Sequence, residues 1–350
     1  MPELDGLRAL AVSSVLFAHF FPLKYQLSLP FGSAGVQLFF VLSGFLITSI
    51  LLRSKDVKLS KSLKDFYARR FLRIFPLYYL VLGLCAFVGW MNWHEGLAWH
   101  VFYLSNVYIS MLGHWPELGG HLWSLSVEEQ FYLIWPLLVL LTGKSSFVVM
   151  TIFSIALSVM LRLVEPWFFV ESKVNLLLFY NLHALGLGSL IAFFGAKSVN
   201  ALRHRNRWMM LAALMMVVGW VGKFYGVEKI VPMLNVGMVG LFGFVVARCA
   251  SGVSSAWTGT FLRHHLIRRI GMISYGLYVW HKFVPLMVEG VLDFCHAPEV
   301  GYDLLVLGHT RGVFFGLTSL ATSVALSIAV SELSWRLFES PINRLKRHFV

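Results

Sequence analysis

AGVQLFFVLSGFLITSILL, residues 34–52, runs for 19 residues without a charged side chain. A helix of that length rises about 28 Å, close to the roughly 30 Å of hydrocarbon in a bilayer, so the stretch reads as a membrane-spanning helix. Comparable runs lie on both sides of it, at 7–22, 75–91, 124–142, 147–164, 175–194, 208–225, 231–249, 270–290 and 312–334. Ten such runs predict an all-α polytopic membrane protein, because only helices or closed barrels satisfy their backbone groups in lipid. Composition agrees: 58% of the 350 residues are apolar and 13% charged, against about 45–50% and about 25% in soluble domains. One integral-membrane domain over 1–350 is expected, with the first helix retained and no soluble domain appended after Glu339.

The net charge of +12 is a topology signal in such a chain and excludes nucleic acid as the partner. With ten spans, 20 Lys and Arg fall on one side of the membrane and five on the other. The richer side is cytoplasmic, which places both termini inside. An eleventh candidate, 97–112, is short and interrupted by Asn106. Counting it as a span would move the last three basic segments outside, so 92–123 is assigned to the outer face. Cys85, Cys249 and Cys295 are far apart in sequence, and the first two sit in apolar runs, as packing residues do. His94, His100, His114 and His121 crowd the outer segment without a metal-binding spacing.

Ionisable residues inside apolar runs are expensive and mark candidate sites. The first run holds Arg8 and His19. Eleven residues turn a helix about three times and advance it about 16 Å, so both share one face at different depths. Two readings stand: an interfacial arginine with a hydrogen-bonded histidine, or a histidine acid or base in a polar cavity with a cation on its wall. Arg69, Arg70 and Arg73 precede the third run among aromatics. They suit either plain positive-inside topology or the grip of phosphate groups. In His121-Leu122-Trp123-Ser124-Leu125-Ser126-Val127-Glu128-Glu129-Gln130-Phe131-Tyr132, Ser126 and Glu129 form a capping-box pattern. Glu128 then needs a partner such as His19, Arg8 or His121. Ser43-Gly44-Phe45 offers close helix approach, and Asn181, His183, His281 and Lys282 suit interhelical hydrogen bonds.

Taken together, six segments resemble the membrane-bound acyltransferase family 3, the O-antigen and exopolysaccharide O-acetyltransferases. They are LDGLRALAVSSVLFAHF (4–20), GVQLFFVLSGFLIT (35–48), FYARRFLRIFPLYY (66–79), HLWSLSVEEQFYLIWP (121–136), ISYGLYVWH (273–281) and ESPINR (339–344). The resemblance covers nearly the whole chain. It implies a ten-helix enzyme of the bacterial inner membrane that moves an acyl group, usually acetyl, from cytoplasmic acyl-CoA to a carbohydrate hydroxyl facing outward. Acyl-CoA would be a co-substrate, with no permanently bound cofactor and no metal.

Carried over by motif, Arg8 and His19 match the family's essential pair, Glu128 its acidic position, and Arg69, Arg70 and Arg73 its basic motif. His19 is then expected to deprotonate the hydroxyl or relay the acyl group, with Glu128 orienting it and Arg8 anchoring the donor. Ser43, His121, Trp123, Tyr132 and His281 are candidates for an acceptor cavity. Gln37 departs from the pattern, which often has an acid there. Within the same chemistry the acceptor could instead be peptidoglycan, a glycolipid or a macrolide. The rival class is a proton-coupled transporter using His19 and Glu128, against which the lack of an internal repeat argues.

Overall fold

A computed structural model describes residues 1–21, 29–92, 96–168, 172–200, 205–253, 256–287 and 313–349. Among these the regular structure is entirely helical. The long elements are α1 (Pro2–Phe20), α2 (Phe31–Arg53), α3 (Leu59–Phe87), α6 (Trp123–Leu141), α7 (Lys144–Phe168), α8 (Leu178–Phe194), α10 (Arg205–Phe224) and α11 (Pro232–Ala250). Shorter pieces are α4 (Ala98–Val101), α5 (Ser105–Leu112), α9 (Ala196–Asn200), α12 (Ala256–Arg263), α13 (His265–Met272) and α14 (Ser274–Trp280). Helix α15 (Val313–Ser334) leads through a wide turn, Trp335–Glu339, into α16 (Ser340–Arg344).

Seven helical segments are long and apolar enough to cross a bilayer: Phe31–Arg53, Leu59–Phe87, Gly120–Leu141, Lys144–Phe168, Val174–Phe194, Arg205–Phe224 and Glu228–Ala250. The chain is a multi-pass membrane protein. The other three expected runs are different in kind. The first forms α1, whose Glu3, Asp5, Arg8 and His19 dilute its apolar character. The ninth is interrupted at Ile273 between α13 and α14 and passes at 288 out of the described residues. The tenth forms α15. Residues 97–112 fold as two short helices, α4 and α5, too short to span. Cys85 and Cys249 are buried free thiols, as expected of packing residues, while Lys24, His94, Cys295 and Arg311 lie outside the described residues.

The third helix corrects the sequence reading. It begins at Leu59, so Lys61, Lys64 and the three arginines ride on helix and not on a loop. The apolar pattern that starts near residue 75 could not show this, because a helix that projects beyond lipid carries no hydrophobic signature there.

Helix α2 is the centre of the bundle, packed against α1, α6, α8 and α11. Its closest neighbour is α8. A Cβ on Gly44 would stand 1.9 Å from the carbonyl oxygen of Leu185, and one on Gly188 would stand 2.1 Å from that of Val41. Two glycines therefore let the backbones touch, which is how helices associate where lipid removes the hydrophobic drive. Polar bonds lock the same seam: Thr48 donates to Ser189 at 2.9 Å and Gln37 to Asn181 at 3.2 Å. Helices α7 and α10 lie outermost, with Phe153, Met160, Met210 and Leu214 exposed, a surface suited to acyl chains.

Candidate active site

Two cavities meet inside this bundle, with Val36 and Tyr278 lining both. The Tyr278 hydroxyl donates to the His121 carbonyl at 2.9 Å and lies 2.6 Å from Ser124 Oγ. Because its one proton is committed to the carbonyl, it accepts from Ser124. That fixes the ring as a partition.

The arginine cavity is small, about 80 Å³, and is lined by Arg8, Ser43, Arg70, Arg73, Glu128, Glu129 and Tyr132, among others. Its polar groups are ordered by one another. Tyr132 donates to Ser43 at 3.1 Å, and Ser43 donates to Glu128 Oε1 at 2.7 Å. The Arg70 guanidinium lies over the Tyr132 ring, 5.2 Å from its centroid, and over Phe66 at 5.8 Å. Arg8 pairs with Asp5 at 3.0 Å. Both Arg70 and Arg8 interact electrostatically with Glu128.

A segment later in the chain, residues 340–348, packs on α3, the helix that carries Arg70 and Arg73. Burial pushes the Glu339 carboxyl up to about 7, against the opposing pull of Ser334, which donates to it at 3.1 Å, and of Arg73. Burial, followed by the like charges of Arg73, Arg70 and Arg69, pushes the Lys346 amine down to about 7.

The histidine cavity is far larger, about 580 Å³, and His19, Gln37, His121, Trp123, Arg162, Asn235 and Lys282 are among its walls. His19 is open to this space, and among the described residues neither of its ring nitrogens is hydrogen-bonded. Its ring centroid stands 5.0 Å from that of His281, which in turn stands 4.9 Å from that of His121. His281 Nδ1 is bonded to the Tyr278 carbonyl at 2.7 Å and His121 Nε2 to the Val279 carbonyl at 3.2 Å. Carbonyls only accept, so those nitrogens carry the protons. His281 Nε2 and His121 Nδ1 are left as buried acceptors with no partner among the described residues. A neutral imidazole open to a cavity of this size can take a proton from a bound hydroxyl.

Several expectations need correcting. Arg8 and His19 share a helix but face different cavities, because about 16 Å of rise carries them to opposite sides of Tyr278. Glu128 does not orient His19: it lines the arginine cavity and is held by Ser43. Glu129 does not cap α6, since a turn at Gly120–Leu122 extends the helix backward and Ser126 donates instead to the Leu122 carbonyl at 3.3 Å. Arg70 and Arg73, at i and i+3, line the cavity, whereas Arg69 donates to the Asp65 carbonyl of its own helix at 3.0 Å. Of the acceptor candidates, His121 and Trp123 line the histidine cavity, Ser43 and Tyr132 the arginine cavity, and His281 sits behind His19. Asn181 and His183 make the interhelical bonds expected, His183 lying 3.1 Å from Ser158.

Arg162 is the residue that sequence reading missed. It is an arginine within the fifth apolar run, the same signal that singled out Arg8.

A family model described as an acyltransferase domain matches residues 1–330. The chain is similar to the peptidoglycan O-acetyltransferase OatA of Listeria monocytogenes, at 29% identity across 98% of the chain and 56% of that protein. It is similar also to YrhL of Bacillus subtilis, provisionally named a peptidoglycan O-acetyltransferase, at 27% identity across 98% of the chain and 55% of that protein. A provisionally named O-acetyltransferase of Staphylococcus aureus is 28% identical across 98% of the chain and 57% of its own length. The chain thus spans a little over half the length of these curated relatives. No solved structure matches it.

Proposed function

The chain belongs to the family of acyltransferase domains that its first 330 residues match, and on that footing we propose that it transfers acetyl from acyl-CoA to a carbohydrate hydroxyl across a bacterial inner membrane. Loop charge supports ten spans with both termini inside, which puts the arginine cavity at the cytoplasmic mouth and the histidine cavity outside. The observation that carries the reading is the placement of two unlike cavities on either face of Tyr278. One gathers arginines suited to phosphate groups. The other presents a histidine with no hydrogen bond among the described residues to a space of about 580 Å³, within the usual range for a small-molecule site of about 300–1,000 Å³.

In the proposed step His19 takes the proton of the acceptor hydroxyl as its oxygen attacks the acetyl carbonyl. The carbon–sulfur bond of the thioester breaks, an ester bond forms, and the proton passes from His19 to the departing thiolate. Arg70 and Arg73 hold donor phosphates, with Arg69 at the rim, and Arg8 steadies charge near the thioester. Glu128 balances this arginine group through Ser43 and has no part in orienting His19. The names of the relatives support a peptidoglycan glycan over O-antigen or exopolysaccharide as the proposed acceptor.

The test is incorporation of radiolabelled acetyl from acetyl-CoA into glycan by membranes bearing wild type or His19→Ala, at matched protein levels. Loss of a general base slows transfer about 10²–10⁴-fold, so label is expected with the first and not the second. Equal labelling would show that His19 is a packing residue.

A further inference from the structure

The polar groups of the histidine cavity do not balance. Arg162, in α7, is buried, with 5% of its surface exposed. It donates through Nε to the Tyr180 carbonyl at 2.6 Å and through Nη2 to Asn181 Oδ1 at 2.7 Å. Arg8, Arg263 and Arg269 each pair with a carboxylate, yet Arg162 forms no ion pair among the described residues. Glu165 is near enough to act on it electrostatically, but that carboxylate receives Asn175 Nδ2 at 2.6 Å. A guanidinium fixed by carbonyl oxygens, with more N–H groups than these bonds use, is a preorganised anion fork. Lys282 adds a second cation to the same walls, and the one carboxylate among them, Glu117, lies exposed at the rim.

Beside the cations stand buried acceptors. Asn181 Nδ2 donates to the carbonyls of Asn175 and Leu177, both at 2.9 Å, so its Oδ1 must be the atom that faces Arg162 and Gln37. Gln37 therefore presents Nε2 to Asn181 and leaves Oε1 over. That oxygen is buried without a partner among the described residues, and so is Asn235 Oδ1; both residues line the cavity. A buried acceptor without a donor costs about 1–3 kcal/mol, and an unneutralised buried cation costs more. A ligand carrying hydroxyl or amide protons and one negative group satisfies both sets at once.

We propose that the histidine cavity recognises an anionic sugar, whose carboxylate or phosphate is held by Arg162 and Lys282 while its hydroxyl or amide protons reach Gln37 Oε1 and Asn235 Oδ1. The assignment of this sugar as acceptor rests on the acyltransfer reading; the anion site itself does not. Gln37 is the specificity element. Its neutral amide leaves the Arg162 charge for the ligand, where an acid at 37 would neutralise it from within.

The test is calorimetric binding to the full chain in nanodiscs, using the N-acetylglucosamine–N-acetylmuramic acid disaccharide with its free carboxylate and the methyl ester of the same disaccharide. N-acetylglucosamine 1-phosphate serves as a competitor. Wild type should bind the acid at least about tenfold more tightly than the ester. Lys282→Met and Gln37→Glu should each bring that ratio close to one, as should Arg162→Gln if it folds. Competition by the phosphate sugar extends the site to phosphate-bearing glycans, and its failure to compete restricts the site to carboxylates. Equal binding of acid and ester by wild type, or an unchanged ratio in Lys282→Met and Gln37→Glu, overturns the proposal. Acetyl transfer is then measured on the same samples. Selective binding without any transfer sinks the acyltransfer reading and leaves the anion site standing.

Discussion

On one side of Tyr278, Arg8, Arg70 and Arg73 share about 80 Å³ with Glu128 and Glu129. On the other, Arg162 and Lys282 face about 580 Å³ with Glu117 alone, out at the rim. The first cavity brings both signs of charge together, Glu128 acting electrostatically on Arg70 and Arg8, and its side chains hold one another through Tyr132, Ser43 and Glu128. The second leaves Arg162 and Lys282 without a carboxylate partner, and Gln37 Oε1 and Asn235 Oδ1 without a donor, among the described residues. A buried charge that is balanced internally belongs to the fold, whereas one left unbalanced is held for something that enters. The two regions should therefore respond to mutation in opposite ways.

The largest expected effect tests that contrast directly. Glu128→Ala removes the carboxylate that acts on both Arg70 and Arg8 and that Ser43 holds, and weakening the charge balance of buried cations costs up to about 3–5 kcal/mol. Thermal unfolding in detergent should drop accordingly. Arg162→Met removes a charge that no carboxylate pairs with among the described residues; it forfeits two hydrogen bonds from a charged donor, about 3–6 kcal/mol together, offset by no longer burying an unneutralised cation. It should unfold closer to wild type while losing the acid-over-ester preference. Equal destabilisation by the two variants would mean that Arg162 is as structural as Glu128, and the contrast would fail.

Much of this was legible in the sequence. Arg8, His19, Glu128, Arg70 and Arg73 announce themselves as ionisable groups in or beside apolar runs, and Ser43-Gly44 marks the seam where a Cβ on Gly44 would stand 1.9 Å from the Leu185 carbonyl oxygen. What the sequence could not show is which groups meet. Helical periodicity puts Arg8 and His19 on one face, but a face has depth, and the ring of Tyr278 arrives from a helix more than 250 positions away in the chain. The pairing of Glu128 with His19 failed for that reason. Arg162 was visible by the rule that found Arg8; its importance comes from the absence of an ion pair, which only three dimensions reveal. The cap assigned to Glu129 failed because the turn at Gly120–Leu122 carries the helix past the cap.

A smaller effect separates structural from chemical histidines. His100, in α4, is 1% exposed, its Nδ1 lies 2.7 Å from Ser105 Oγ, and burial holds the ring down to about 4. A histidine whose folded value lies below its unfolded value near 6.5 binds protons more readily when unfolded. Its contribution is therefore complete above about 6.5 and is lost as pH falls toward 4. Lowering the pH from 7 to 5 should reduce stability by about 2 kcal/mol through this group. His100→Gln should flatten that slope and leave acetyl transfer intact, since His100 lines neither cavity. Loss of transfer in that variant would place chemistry where the structure puts packing.

The smallest effect concerns two groups outside the lining of the arginine cavity that act electrostatically on its arginines. Lys346 is held down to about 7 and Glu339 up to about 7, both chiefly by burial. As pH rises through that value the lysine loses its positive charge and the carboxyl gains a negative one. The two titrations act in the same direction, and the charge facing an incoming phosphate falls by up to two. Donor binding should weaken with pH, so the KM for acetyl-CoA should climb about threefold to tenfold between pH 6 and pH 8. Lys346→Met should be weaker at pH 6 and show a shallower slope. Glu339→Gln should keep the low KM further into the alkaline range, provided the bond from Ser334 survives the change. The histidine cavity has no share in these groups, so acceptor KM should not follow the same curve. If it does, charge on the two sides of Tyr278 is coupled, and the partition between the cavities is electrically less complete than its geometry.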